Sequence, residues 1–262
     1  MKDSPIKSYL LSFFILITGF TKAQKTIMIS DSLAAHADKL NVKLGSQGPG
    51  KIWKMHFGEY AVVSSKMGWA KTSLKANLFS TKIESTSTQK FSFVLSNTSS
   101  DSAFVSAVNN IQVKALQEIE ILPGFSWGSN ELDQESKNFS AFININRDTV
   151  ITWALFMHVA RGHDNDGNYE AFLTNGERKI FISPVETGKI SNNPFKQSPT
   201  GYEFFEKEQS LGALQYSNLM AMYNDIVWIN RELDSGMKLI LAASMTAILQ
   251  VKMSERSDQQ KE

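Results

Sequence analysis

One short motif in this chain has the residue types of a hydrolase site. Gly124-Phe125-Ser126-Trp127-Gly128 matches the G-x-S-x-G pattern of a nucleophile elbow, in which a strand delivers a serine onto a sharp turn before a helix. A strand-like stretch, 118–122, precedes Ser126, but residues 129–138 after it lack the apolar stripe of a helix. We therefore predict no catalytic residue and keep Ser126 as the candidate nucleophile of an alternative function, a secreted esterase-like serine hydrolase.

A second motif has the residue types of a calcium loop. Asp164-Asn165-Asp166-Gly167-Asn168 carries carboxylates at alternate positions before a glycine. With that glycine at the sixth position of an EF-hand loop, glycine and leucine fall where the first and last carboxylates are needed. The Asp-Gly pair favours a hairpin turn instead. We predict no metal site, and Asp164 and Asp166 are the candidate ligands of a weak surface calcium site.

The remaining composition indicates neither a cofactor nor a nucleic-acid partner. The histidines do not have the spacing of zinc ligands; they are His36, His56, His158 and His163. The formal net charge is +1, and no basic run stands out. We predict no cofactor and no nucleic-acid binding, and we assign the dispersed tryptophans to core packing.

The first two dozen residues have the parts of a secretory signal peptide. Lys2 and Lys7 flank the charged start, an apolar run covers 9–20, and small residues precede the bond after Ala23. The run is shorter than the ~20 residues of a membrane-spanning helix. We predict cleavage after Ala23, a periplasmic or secreted location, and no transmembrane span in the mature chain. The absence of cysteine favours a bacterial envelope or secreted protein held together without disulfides.

The sequence predicts that the mature chain forms one domain rich in β structure. Its length suits a single all-β unit, and we place that domain at 24–253, followed by a polar tail at 254–262. Short strand-like stretches rich in aromatic and branched residues follow Ile52. We predict a mostly antiparallel β-barrel or β-sandwich with a short N-terminal helix, which Ser30 would cap and Gly45 would end.

Two stretches in the second half give sharper expectations. Val150–Met157 is apolar at successive positions, so we expect this strand to be covered on both faces of the sheet. Asn175-Gly176 separates two strand-like runs and predicts a tight hairpin turn.

One apolar segment near the C-terminus breaks the strand pattern. Residues 237–251 are rich in alanine, leucine and methionine, and their apolar side chains cover nearly the whole circumference of a helix. A long buried strand is the alternative, but the composition favours a helix. We predict a buried helix over about 236–252, capped by Asp234 or Ser235 and wrapped by strands.

The C-terminal third resembles the tubby C-terminal-like superfamily, which includes the phospholipid scramblases and the LURP-one-related proteins. The resemblance covers roughly residues 169–251. It rests on the runs Leu211-Gly212-Ala213-Leu214-Gln215, Ile226-Val227-Trp228-Ile229 and Leu233-Asp234, which lead into the apolar segment. It implies a β-barrel around a central C-terminal helix, and no lipid-headgroup residue of the family can be matched here.

These observations predict a protein without enzymatic activity. No acid–base or metal constellation stands out from chance, whereas a β-rich fold with many methionines can hold an apolar ligand. We predict an exported binding protein whose ligand is an apolar small molecule, a lipid or a partner surface. A structural envelope protein is a further alternative.

Overall fold

The protein is built almost entirely from antiparallel strands around one long helix, so the predicted fold class is confirmed. The computed structural model describes residues 27–76, 82–116, 119–122, 125–127, 132–146, 151–162, 169–185, 201–216 and 225–259. The predicted signal peptide lies outside these residues.

The helices and strands differ widely in length. The helices are α1 (Asp31–His36) and α2 (Ser235–Gln259). The strands are β1 (Ala37–Asn41), β2 (Lys43–Leu44), β3 (Met55–Phe57), β4 (Tyr60–Met67), β5 (Lys71–Ala76), β6 (Lys82–Ser96), β7 (Ser102–Leu116), β8 (Ile119–Leu122), β9 (Phe125–Trp127), β10 (Leu132–Ile145), β11 (Thr152–Gly162), β12 (Tyr169–Thr174), β13 (Lys179–Val185), β14 (Gly201–Glu206), β15 (Gln209–Gln215) and β16 (Ile226–Asn230).

Thirteen strands form a nearly closed barrel-like sheet. Their order is β1-β16-β15-β14-β13-β12-β11-β10-β7-β6-β4-β3-β2, while β5 pairs with β6, and β8 pairs with β9. The two ends of this order belong to one extended segment, because β1 pairs with β16 and β2 pairs with β3 on either side of Val42. The amide of Val42 donates to the carbonyl of Asp225 at 2.9 Å. The sheet is therefore brought round on itself by one continuous piece of chain.

The barrel has two different ends. The turns 175–178 and 207–208 lie at one end, which we call the turn end. Strands β12, β14 and β16 begin at the opposite end, which we call the loop end. The predicted Asn175-Gly176 hairpin is confirmed between β12 and β13. Its loop spans four residues, with Gly176 at a φ of 93° that suits glycine.

Helix α2 fills the interior of the barrel. The Asp234 carboxylate accepts a hydrogen bond from the Met237 amide at 2.8 Å, so the predicted cap is Asp234. The helix then runs towards the loop end, and its side chains are buried against the inward face of the sheet. The hydroxyl groups of its polar residues Ser244 and Thr246 donate hydrogen bonds to backbone carbonyls one turn earlier in the helix. The buried helix is confirmed, and it continues beyond the predicted end to Gln259, through part of the predicted polar tail.

The length and composition of α2 would also suit a membrane-spanning helix. Residues Ser235–Ser257 have a mean hydropathy of 1.2, but 83% of that apolar window is buried inside the protein. The surrounding strands therefore provide the apolar environment that this helix needs.

The predicted N-terminal helix is present but shorter than expected. It ends at His36, because the chain that follows pairs with β16 as strand β1. Ile27 and Leu33 pack outside the barrel on Ala213, Ile226 and Trp228. This N-terminal strap, residues 27–36, therefore covers the outer face of β15 and β16.

The strap is fixed by a buried carboxylate. Glu203 on β14 accepts hydrogen bonds from the Ser30 hydroxyl at 2.7 Å and the Ser210 hydroxyl at 2.6 Å. The Ser30 amide also donates to it, at 3.1 Å, and the Ile27 amide donates to Gln215 at 2.9 Å. Ser30 therefore binds the barrel wall, and the prediction that its side chain caps α1 is wrong.

Candidate functional site

Ser126 lies in a strand of a two-stranded sheet. It belongs to β9 and pairs with Glu120 of β8. The next described element along the chain is strand β10, whereas a nucleophile elbow requires a helix directly after the serine. The described backbone therefore places Ser126 in a strand–strand–strand sequence.

The candidate calcium ligands, Asp164 and Asp166, lie outside the described residues. Within the part of the chain that the structure describes, no group of three or more histidine, aspartate or glutamate side chains could hold a metal ion. His158 is half-buried, and its Nδ1 is 2.7 Å from the Oδ1 of Asn138 on the neighbouring strand.

A series of partly exposed phenylalanines lies on the outside of the barrel wall. Phe142, Phe156, Phe172, Phe181 and Phe205 come from five adjacent strands, β10 to β14, and we call them the phenylalanine row. Phe156 pairs with Phe172, Phe172 with Phe181, and Phe181 with Phe205, so these four are in register across the sheet. Their sequence neighbours face the core, which places the row on the outside.

Three of the five phenylalanines in the row expose a third or more of their surface to solvent. Phe142, Phe156 and Phe181 are 50%, 37% and 53% exposed. The prediction that Val150–Met157 is covered on both faces is therefore wrong. Trp153 faces the interior, but Phe156 faces outward, where no described element packs over it. These partly exposed phenylalanines are therefore the candidate contact surface of the barrel.

One lysine belongs to the row itself. The Nζ of Lys179 lies 4.1 Å from the centre of the Phe172 ring and 5.0 Å from that of Phe181. The rings of Phe156 and Phe172 also contact each other, with centres 5.3 Å apart and planes tilted by 43°. These cation–π contacts hold the ammonium group of Lys179 against the phenylalanine row.

A polar groove adjoins the row on the outer face of the barrel. A groove of about 440 Å³ crosses β4, β6 and β7, and its polar lining includes Ser64, Lys66, Ser92 and Ser106. A second groove, of about 340 Å³, shares three of these residues and extends to Phe142. We call the two together the serine groove. It leads directly into the phenylalanine row.

The loop end of the barrel contains the main buried polar network. Tyr169, Tyr202 and Tyr216 stack with ring centres 6.1 and 5.7 Å apart. Lys252 of α2 hydrogen-bonds with Tyr202 and with Glu255. Burial opposes the charge of Lys252, but these two partners offset it and hold the pKa of this ammonium above its usual value.

The charges of this network are balanced. Glu255 also lies 3.6 Å from Lys137, which in turn pairs with Glu135. Arg256 pairs with Asp225. Each of the cations Lys137, Lys252 and Arg256 thus has a carboxylate partner. The network therefore holds the end of α2 in the barrel and leaves little uncompensated charge for binding a ligand.

The phenylalanine row was missed by sequence reasoning. Its signal is the alternation of inward and outward residues in β10 to β13, which places a phenylalanine at an outward position in each strand. The pattern of one strand alone does not show which of its two faces the core occupies, so this signal is not sufficient without the strand order. No family model matches the chain, and no similar curated protein or solved structure was found.

Proposed function

We propose that the protein is an exported, non-catalytic binding protein that contacts an apolar partner through the phenylalanine row. The observation that carries this proposal is the register of Phe156, Phe172, Phe181 and Phe205 on an outer face that no described element covers. The interior of the barrel is occupied by α2. An apolar ligand would therefore bind on the outer wall of the barrel more readily than in its core.

Export and a bacterial envelope origin belong to the same proposal. The charged start, the apolar run at 9–20 and the small residues before Gln24 support cleavage after Ala23. N-terminal sequencing of the exported product tests this, and a mature chain that still begins at Met1 would contradict it.

We also propose that the chain is a distant member of the tubby C-terminal-like superfamily. An antiparallel barrel around a C-terminal helix is the architecture that the sequence resemblance implied, and its presence here supports the proposal. Fold alone does not assign a ligand.

The binding function is tested on protein recovered from its own host. Native mass spectrometry should detect a co-purified apolar molecule or a stable adduct in the wild type. The Phe156→Ser and Phe181→Ser double variant should lose it. Val63→Ser with Leu74→Ser is the matched control, because both side chains are exposed elsewhere on the surface. A ligand retained by the phenylalanine variant would contradict the proposal, as would short-chain ester hydrolysis that Ser126→Ala abolishes.

A further inference from the structure

Strand β5 lies at an edge of the described sheet. It pairs with β6 on one side, and on its other side no described residue forms a backbone hydrogen bond with it. Residues 71–74 are all exposed, and Leu74 is 65% exposed. The edge of β5 therefore presents backbone N–H and C=O groups that can pair with a further strand.

This edge belongs to a part of the sheet that extends beyond the apolar core. β5 pairs with residues 83–88 of β6, whereas β4 pairs with residues 91–96 of the same strand. The inward side chains of the second part are buried, and they are Phe91, Phe93 and Leu95. Residues 84–90, by contrast, are all partly or fully exposed. A further strand can therefore extend the sheet at β5 without displacing any part of the core.

Pairing of β5 with itself is restricted by symmetry. Two copies of one strand pair antiparallel about a two-fold axis perpendicular to the sheet, which keeps corresponding faces of the two sheets on the same side. Because side chains alternate between the faces, each residue must oppose one of its own face, and the axis must pass through a residue. An axis through Ser73 pairs residues 71–75, and an axis through Leu74 pairs residues 72–76.

Charge decides between these two registers. An axis through Ser73 would place Lys71 of each copy opposite Lys75 of the other, and like charges directly opposite each other are destabilising. An axis through Leu74 places Lys75 opposite Ser73 and sets the two exposed leucines against each other. The lysines of this edge thus oppose one register and permit the other.

We propose that β5 pairs antiparallel with β5 of a second copy of the chain, about a two-fold axis through Leu74, so that the two sheets become continuous. This contact goes beyond the proposed binding function and leaves the phenylalanine row on β10 to β14 uncovered. Pairing over residues 72–76 alone buries less than the ~1,200 Å² of a standard stable interface. We therefore expect a weak and reversible dimer.

Cysteine crosslinking tests the register, because the chain has no cysteine of its own. In Leu74→Cys the two thiols lie at the axis, where directly opposite Cα atoms are about 4.5–5.5 Å apart and a disulfide can form. Thr72→Cys is the matched control on the same face of β5. Its two copies would be about 14 Å apart along the strands, at ~3.4 Å per residue, which is beyond the reach of a disulfide. Under the same mild oxidation, we expect a covalent dimer of Leu74→Cys and about tenfold less of Thr72→Cys.

Sedimentation velocity of the mature chain tests the association itself. We expect the mean sedimentation coefficient of the wild type to rise with protein concentration. Leu74→Lys should raise the dimer Kd by about tenfold, since two ammonium groups would then face each other across the axis. Trp69→Lys is the charge-matched control, because Trp69 is 95% exposed and precedes β5. Its Kd should equal that of the wild type, and thermal unfolding verifies that each variant remains folded.

Three results would overturn the proposal. Equal crosslinking of Leu74→Cys and Thr72→Cys would exclude the register, and a wild type that stays monomeric at every concentration would exclude the dimer. Crosslinking of Leu74→Cys to a different protein in its own host, without a homodimer, would assign the edge to that protein. None of these results affects the phenylalanine row, whose ligand is tested on other variants.

Discussion

The Nη2 of Arg256 is 3.2 Å from the Oδ1 of Asp225, and its Nη1 is 3.5 Å from Oδ2, with both side chains buried at the loop end. This ion pair ties the last part of α2 to the start of β16, while the Asp225 carbonyl binds the Val42 amide. Asp225 thus connects the helix, the final strand and the segment that closes the barrel.

Breaking that ion pair should be costly, since a buried charge would lose its partner. We expect Asp225→Asn to lower the free energy of unfolding by about 3–5 kcal/mol. Urea denaturation measures this change. Asp38→Asn is the control, because its contact with Arg231 is exposed and 3.9 Å long. Similar losses in the two variants would show that burial does not determine the contribution of the pair.

A carboxylate introduced in the middle of α2 should also destabilise the protein. Ala243 is fully buried between the helix and the barrel wall. Ala243→Glu should cost several kcal/mol, because the new charge has neither water nor a partner there. Ser254→Glu, at a half-buried position of the same helix, serves as control. A melting temperature of Ala243→Glu equal to that of the wild type would contradict a helix enclosed by strands.

Gly212 permits close contact between the barrel wall and α2. A Cβ at this position would lie 2.7 Å from the Trp228 carbonyl oxygen and 2.8 Å from the Met245 Cε. We expect Gly212→Ala to lower the free energy of unfolding by about 1–3 kcal/mol through overpacking. Gly48→Ala is the comparison, since its nearest atom would be 3.8 Å away. Chemical denaturation should separate the two; equal stability would mean that the wall moves to accept the methyl group.

The N-terminal strap should detach when its buried carboxylate is neutralised. Glu203→Gln keeps the side-chain size but loses charge-assisted hydrogen bonds from Ser30 and Ser210. We expect faster hydrogen exchange at amides 27–36 and a loss of about 1–3 kcal/mol in stability. Exposed Glu208, in the turn before β15, provides the control variant Glu208→Gln. Unchanged exchange in 27–36 would show that the apolar contacts of Ile27 and Leu33 are sufficient.

The Arg178–Glu206 pair should make stability depend on pH on the acid side. Hydrogen bonds of 2.8 and 2.7 Å from Arg178 hold the pKa of Glu206 below its ordinary value of 4.5, against the opposing effect of partial burial. The contribution of the pair is therefore complete above pH 4.5 and is lost as the pH falls through the lower folded-state pKa. Glu206→Gln should lose less stability than wild type over that acid range, whereas Glu177→Gln should follow the wild type. Denaturation midpoints measured across the range test this sign.

The sequence predicted the elements whose local pattern is sufficient to define them. Residues 237–251 are apolar on all sides, so this helix needs apolar surroundings, which the strands of the barrel supply. The end of α2 was less predictable. Glu255 and Arg256 belong to the predicted polar tail, yet Lys137 and Asp225, which are distant in sequence, pair with them.

The outer surface was the harder part to predict, because it depends on which strands become neighbours. The continuous apolar run Val150–Met157 indicates two apolar faces but does not show that one of them faces the core and the other faces solvent. The phenylalanine row exists only once β10 to β14 are placed side by side. The short α1 has a similar cause, since β16, almost 190 residues later, recruits Ala37–Asn41 as a strand.

The pairing of β1 with β16 also sets an order of events for folding. Among the described strands, β1 is synthesised first and cannot pair with β16 until β16, the last strand, has been synthesised. Helix α2, which fills the barrel, follows both strands in the chain. Contacts so distant in sequence form late and slowly. A chain that is still emerging has an inward apolar face and nothing to cover it. Folding of the barrel can therefore be completed only after the C-terminal segment becomes available.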